Sequence, residues 1–165
     1  MNETEPRTPA EHVPALAAAL KAEHFPTGER AALKRMALDG PAPLAFHRFM
    51  LRHVDSPWQS ESWNPEWRAL ICSLAIQRDG GFSPSNPFGQ ALAEAGFSEH
   101  RFERLLSANG ETLRNLALRA ARQLAAKGIE TDWRQFAELL FSRNPETREV
   151  INRRIARDYY RTVQS

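Results

Sequence analysis

The chain of 165 residues is long enough for one domain or two small ones, and its 42% hydrophobic content excludes a disordered tail. Its formal net charge of +2 is unevenly distributed, with −3 over residues 1–99 and +5 over residues 100–165. No apolar run approaches the roughly 20 residues of a membrane-spanning helix, and the polar start MNETEPRTPAEH does not resemble a signal or transit peptide. We therefore expect a cytoplasmic protein without a membrane partner.

Helix signals dominate the first half of the chain, and strand-like alternation is absent. Each predicted helix begins at a capping residue or a proline, both of which suit helix N-termini. The start signals are Thr8-Pro9, Thr27, Pro43 and Asn64-Pro65. They predict helices at about 9–23, 28–38 and 44–54 and a fourth helix that Asn64 caps, with a loop at 55–63. The apolar face of the fourth helix, formed by Trp67, Leu70, Ile71 and Leu74, is expected in the core.

Residues 78–87 (RDGGFSPSNP) are the longest stretch of helix-breaking residues and predict a mobile loop or a hinge. Five further helices are predicted after it. They comprise FGQALAEA, a Ser98-capped helix, residues 111–127, a helix opened by Thr131 or Asp132, and a last helix capped by Asn144 that extends to about Val163. The predicted fold class is an all-α, two-lobed bundle of about eight or nine helices. The predicted divisions are an N-terminal helical lobe (1–78), a Gly/Pro-rich loop (79–87) and a basic C-terminal helical lobe (88–165).

No recognisable reactive motif is present. The sequence lacks CxxC, HExxH, GxxxxGK[ST], GxGxxG and GxSxG patterns, and its five histidines are scattered. The single cysteine, Cys72, lies in an apolar run and is expected to be a buried thiol. We therefore expect no catalytic residues, no cofactor, no metal site and no small-molecule substrate, and an enzyme is the least favoured class.

Arginine accounts for 19 of the 22 basic residues, which indicates either the codon preference of a GC-rich genome or an anionic partner. At about 100° per residue, Arg114, Arg119 and Arg122 share the face of the 111–127 helix that lies opposite its apolar positions. Leu118 interrupts that face, which indicates a protein contact there. Only Arg114 has an acidic residue three or four positions away, Glu111, so these three arginines are the best candidates for phosphate contact.

The alternative is that the arginines lie on solvated faces and pair with neighbouring acids. The last helix carries a stripe of Arg154, Arg157 and Arg161. It also has acid–base pairs at helical spacing, namely Glu149–Arg153 and Arg154–Asp158. Both interpretations stay open on the sequence pattern alone.

Three tryptophans lie close together, at positions 58, 63 and 67. In one interpretation Trp67 belongs to the core and the two loop tryptophans cover it. In the other they form a surface for protein docking or base stacking.

Several segments in order resemble the CasB family, the small subunit of the type I-E CRISPR surveillance complex Cascade. The resemblance extends from about residue 28 to 160. It rests on the segments GERAALKRM, PLAFHRFM, FGQALAEAGFSEHRFERLLSA, LRNLALRAARQL, TDWRQFAELLF and ARDYYR. Their order and spacing, rather than any single motif, carry the similarity.

The resemblance implies a non-catalytic, nucleic-acid-binding scaffold subunit in antiviral defence, which stabilises the target and displaced strands of a guide-RNA R-loop. Its implied partners are the backbone and large Cascade subunits, a second copy of itself, the crRNA and the target DNA. The nucleic-acid-binding residues that the resemblance implies are Lys34, Arg35, Arg78, Arg101, either Arg119 or Arg122, and Arg143. The helical-face argument adds Arg114, Arg119 and Arg122. The alternative is a stand-alone helical DNA-binding regulator, for which Arg114 and Asn115 offer base-reading side chains.

Overall fold

The computed structural model describes residues 5–77 and 81–165, and over these ranges it contains nine α-helices and no strand. They are α1 (Pro9–Lys21), α2 (Thr27–Lys34), α3 (Leu44–His53), α4 (Asn64–Ala75), α5 (Phe88–Glu94), α6 (Glu99–Ser107), α7 (Gly110–Lys127), α8 (Trp133–Phe141) and α9 (Pro145–Val163). The predicted all-α bundle is confirmed. Residues 78–80, at the start of the predicted mobile loop, lie outside the described ranges.

Side-chain caps fix several helix starts where the sequence predicts them. The Thr8 hydroxyl accepts from the Glu11 backbone N–H at 3.2 Å, and the Glu11 carboxylate accepts from the Thr8 N–H at 3.2 Å. The Asn144 side chain accepts from the N–H of Glu146 at 2.8 Å. Gly128 adopts a left-handed φ of +66° that ends α7. These caps satisfy backbone groups that helix ends leave unpaired.

The second helix differs from its prediction. Thr27 lies inside α2 rather than capping it, because Pro26 takes the capping position, and the helix ends at Lys34 instead of near residue 38. The Arg68 guanidinium donates to the carbonyls of Asp39 and Gly40, at 3.2 and 2.8 Å. These bonds from α4 hold the segment after α2 in a non-helical path.

The predicted loop at 55–63 contains two short 3₁₀ helices, Ser56–Trp58 and Glu61–Trp63. As a result Asn64 is already helical, and Trp63 takes the capping position expected of Asn64. The start of α4 is therefore shifted by one residue, a difference that is common at helix ends.

Helix α4 lies at the centre of the core and packs against α1, α2, α7 and α8. Its predicted apolar face is confirmed, since Trp67, Leu70, Ile71 and Leu74 are all fully buried. Cys72 is buried as expected, and burial raises the pKa of its thiol. Because α4 packs against four other helices, its side chains are apolar on nearly every side.

Helix α5 packs directly on α9, and a glycine makes this approach possible. A Cβ at Gly89 would contact the carbonyl oxygen of Ile155 and lie 2.8 Å from the backbone nitrogen of Tyr159. Any larger residue would force the two backbones apart. Glycine is therefore required for close packing here, not for an unusual φ.

The two predicted lobes share one set of core residues. Helix α1 packs on α8, and α4 packs on α7, so contacts cross the position of the 79–87 loop. Buried apolar side chains from both sides form a single core cluster. The division of the chain at this loop stays a prediction.

Candidate nucleic-acid interface

Three of the predicted site residues, Arg35, Arg114 and Arg122, line one hollow of about 580 Å³. We call this the basic hollow. It lies between the segment after α2, the start of α4 and the first turns of α7, and Arg68 also lines it. The two acidic side chains in its lining are Asp39 and Glu111. Four arginines facing two carboxylates leave an excess of positive charge that favours an anion.

The predicted outer face of α7 is only partly correct. Arg119 and Arg122 are exposed, but Arg114 is half-buried and Leu118 is buried. The segment after α2 and the start of α4 lie against this side of α7, so Leu118 contacts protein within the same chain. Arg114 Nη1 lies 3.7 Å from Glu66 Oε1. The contact that Leu118 indicated therefore exists, but it is intramolecular.

A second group of arginines, Arg101, Arg104 and Arg119, lines a smaller hollow of about 70 Å³ between α6 and α7. We call this the α6–α7 group. The Arg101 guanidinium lies 4.2 Å from the centre of the Phe97 ring, which orients it by a cation–π contact. Within residues 5–77 and 81–165, no carboxylate lies within 4.0 Å of Arg119 or Arg122. Their charge is thus available to a partner.

Arg143 lies apart from both hollows, against an aromatic cluster formed by Trp58, Trp63, Trp67 and Phe141. Its guanidinium lies 3.6 Å from the centre of the Trp63 ring and 3.5 Å from Glu66 Oε1, and it donates to the Ser62 carbonyl. Trp63 stacks on Phe141 with ring centres 5.6 Å apart. Arg143 is therefore held on the protein by an aromatic face and a carboxylate.

The tryptophans support the interpretation in which they cover the core. Trp67 is fully buried, and its indole N–H donates to the Trp58 carbonyl at 3.0 Å. Trp58 and Trp63 are half-buried and contact each other and Phe141. The Trp58 indole N–H donates to the Arg7 carbonyl at 2.7 Å, which ties the chain before α1 to this cluster.

One predicted site residue among those described, Lys34, lies outside these groups. Lys34 is exposed at the end of α2, next to Arg35. Arg78 lies outside the described residues.

The arginines of α9 pair largely with acids, as the alternative interpretation expects. Arg153 lies 3.9 Å from Glu149 at the predicted spacing. The predicted Arg154–Asp158 pair is wrong, because Arg154 instead contacts Glu138 of α8 at 3.5 Å. Asp158 pairs with its neighbour Arg157 at 3.7 Å. Tertiary packing therefore gives Arg154 an acidic partner on another helix, which the residue spacing along α9 does not predict.

Two arginines that line the hollows, Arg68 and Arg104, were missing from the predicted site, and a third unpredicted arginine, Arg148, lies outside both hollows. Arg68 lines the basic hollow, and burial lowers its pKa. Its signal in the sequence is a lone cation within the apolar helix α4. Arg104 had a visible signal, its place beside Arg101 on α6. Arg148 is structural, since it donates to the carbonyls of Leu106 and Ala108 at 2.9 Å each.

Within the described parts of the chain, no group of three histidine, cysteine, aspartate or glutamate side chains could hold a metal ion. Among the same residues, no helix is both long enough and apolar enough to cross a membrane.

Comparison with solved structures shows that the chain has the fold of CasB proteins. CasB from M. ruber matches with a TM-score of 0.68 at 20% identity, over 93% of this chain and 94% of that one. CasB from Thermus thermophilus matches with a TM-score of 0.67 at 23% identity, over 93% of this chain and 99% of that one. No curated protein matches the sequence.

The chain belongs to the family of CRISPR-associated protein Cse2, whose model matches residues 29–160. This confirms the resemblance drawn from the sequence segments, which extends over almost the same residues. Membership in the family supports a role as a subunit of the Cascade complex.

Proposed function

We propose that this chain is a non-catalytic scaffold subunit of a type I-E Cascade complex that stabilises the crRNA-guided R-loop through phosphate contacts. It acts beside the backbone and large subunits and a second copy of itself. The observation that carries the proposal is the placement of the arginines. Five predicted cations, Arg35, Arg101, Arg114, Arg119 and Arg122, line two adjacent hollows that both include side chains of α7.

The chemistry of these hollows suits contact with phosphate rather than reading of bases. In RNA-guided recognition, pairing with the guide selects the sequence, and protein cations stabilise the strands without reading them. Arginine binds phosphate oxygens through two parallel N–H groups and also stacks on bases. Arg119 and Arg122, which have no carboxylate within 4.0 Å among the described residues, supply the strongest such contacts.

Co-expression with the other Cascade subunits and a guide RNA tests the proposal. We expect the chain to co-purify with the complex, and its omission to weaken binding of target DNA. A matched variant, R119Q/R122Q, should co-purify equally well, because these side chains are exposed and are assigned to DNA rather than to assembly. A chain that never joins the complex, and whose omission leaves the target affinity unchanged, contradicts the proposal.

The stand-alone regulator receives less support. It requires Arg114 and Asn115 to reach base edges in a groove. Arg114 is instead half-buried and lies 3.7 Å from Glu66. A sequence-specific footprint produced by the isolated chain would favour the regulator over the Cascade subunit.

A further inference from the structure

One buried carboxylate, Glu66 in the first turn of α4, serves two arginines from other parts of the fold. Only 7% of the surface of Glu66 is exposed to solvent. Its Oε1 lies 3.7 Å from Arg114 Nη1 of α7 and 3.5 Å from Arg143 Nη2 of the connection between α8 and α9. Its Oε2 is buried and has no hydrogen-bond donor among the described residues.

These contacts are longer than a close charge-assisted hydrogen bond, which spans about 2.7–2.9 Å. A buried carboxylate stabilises a fold only when its oxygens are well paired, and half of this one is unpaired. The contacts of Glu66 therefore contribute little to the packing of α4, α7 and the α8–α9 connection against one another. The carboxylate does neutralise part of the charge of two predicted phosphate-binding arginines.

We propose that Glu66 is an internal competitor for phosphate, which occupies the anion position shared by Arg114 of the basic hollow and Arg143 outside it, and so limits how tightly these two arginines bind a nucleic-acid backbone. This inference rests on the proposed function, because it concerns the strength of the same interface. It divides the cations into two classes. Arg119 and Arg122 bind phosphate at full strength, whereas Arg114 and Arg143 must first share their charge with Glu66.

The test replaces Glu66 by its neutral isostere and measures target-DNA affinity of the assembled complex between 50 and 200 mM salt. The matched control is Glu130→Gln, which removes the same charge from an exposed residue that lies outside both hollows. We expect E66Q to bind about three- to tenfold more tightly at low salt, with a salt slope steeper by about one unit, because removing one carboxylate charge frees about one unit of arginine charge for phosphate. We expect E130Q to change the affinity less than twofold.

Coupling between residues separates this mechanism from a general gain of positive charge. In an R114Q/R143Q background, E66Q should no longer raise the affinity, whereas in an R119Q/R122Q background its effect should persist. Binding by E66Q that is equal to binding by E130Q, or weaker than wild type, overturns the inference while leaving the proposed function intact. A wild-type chain that adds no affinity to the complex overturns both.

If far-UV circular dichroism shows that E66Q does not fold, single arginine variants decide the question. Arg143→Gln should then reduce the salt slope by less than half as much as Arg119→Gln, because Glu66 already neutralises part of the Arg143 charge. Equal reductions would show that Glu66 does not compete with phosphate and would overturn the inference.

Discussion

Among variants of this chain, the one that neutralises both Arg119 and Arg122 gives the clearest test of phosphate binding at the interface. The double variant R119Q/R122Q removes two exposed cations, one from each hollow, without breaking an ion pair between described residues. Each phosphate contact contributes about 0.9 to the salt slope on duplex DNA and about 0.7 on a single strand. The variant should therefore flatten the slope by about 1.4–1.8 units.

A fourfold rise in salt, from 50 to 200 mM, converts this slope into a measurable affinity. Over that range the wild-type complex should lose about tenfold more affinity for target DNA than the complex carrying R119Q/R122Q. Filter binding at four salt concentrations measures the slope directly. Stability should change by no more than about 0.5 kcal/mol, because both side chains are exposed.

The matched control is R153Q/R157Q, which removes the same charge from exposed positions on α9. Arg153 and Arg157 already contact Glu149 and Asp158, at 3.9 and 3.7 Å, and lie outside both hollows. We expect this control to change the slope by less than half a unit. Equal slopes for the two double variants would refute the assignment of Arg119 and Arg122 to phosphate.

Three further predictions concern stability measured by urea unfolding. Gly89→Ala should destabilise the chain by about 3 kcal/mol because its Cβ meets the α9 backbone, whereas Gly28→Ala, with open space around it, should stabilise by about 0.5 kcal/mol; equal effects would contradict the packing argument. Hydrogen bonds from Arg7 lower the pKa of Asp55 to about 2, so Asp55→Asn should lower the free energy of unfolding at pH 7. This difference from wild type should disappear as the pH falls from about 4 to 2, because the wild-type carboxylate is then protonated. Burial lowers the pKa of His12, whose Nδ1 donates to the Thr8 carbonyl while Nε2 accepts from the Asp55 N–H. The free energy of unfolding of wild type should therefore fall by up to about 1.4 kcal/mol per pH unit below pH 6.5, whereas that of His12→Gln should not show this fall.

The helices were predictable because their signals are local. The capping box at Thr8, the Asn144 cap and the glycine that ends α7 each act within a few residues of the helix end they define. The buried face of α4 follows from helical periodicity alone. The end of α2 did not follow, because it depends on hydrogen bonds from Arg68, a residue of a later helix.

The exposure of the candidate arginines could be predicted from the sequence, but their ion-pair partners could not. The sequence indicates that Arg119 and Arg122 face outward, and both are exposed. It could not reveal that Arg114 lies against Glu66 or that Arg154 contacts Glu138, since each partner comes from another helix. Helical spacing identifies only partners on the same helix, and tertiary packing supplies the others.

Target-DNA affinity of the guide complex, measured with and without this chain, tests the central claim most directly. All other subunits and the guide RNA stay constant, and the salt concentration is varied. We expect omission to weaken binding at least tenfold and to flatten the salt slope by several units, because the phosphate contacts of both hollows are lost together. Equal affinity and equal slope in the two complexes would contradict an R-loop-stabilising role for this chain.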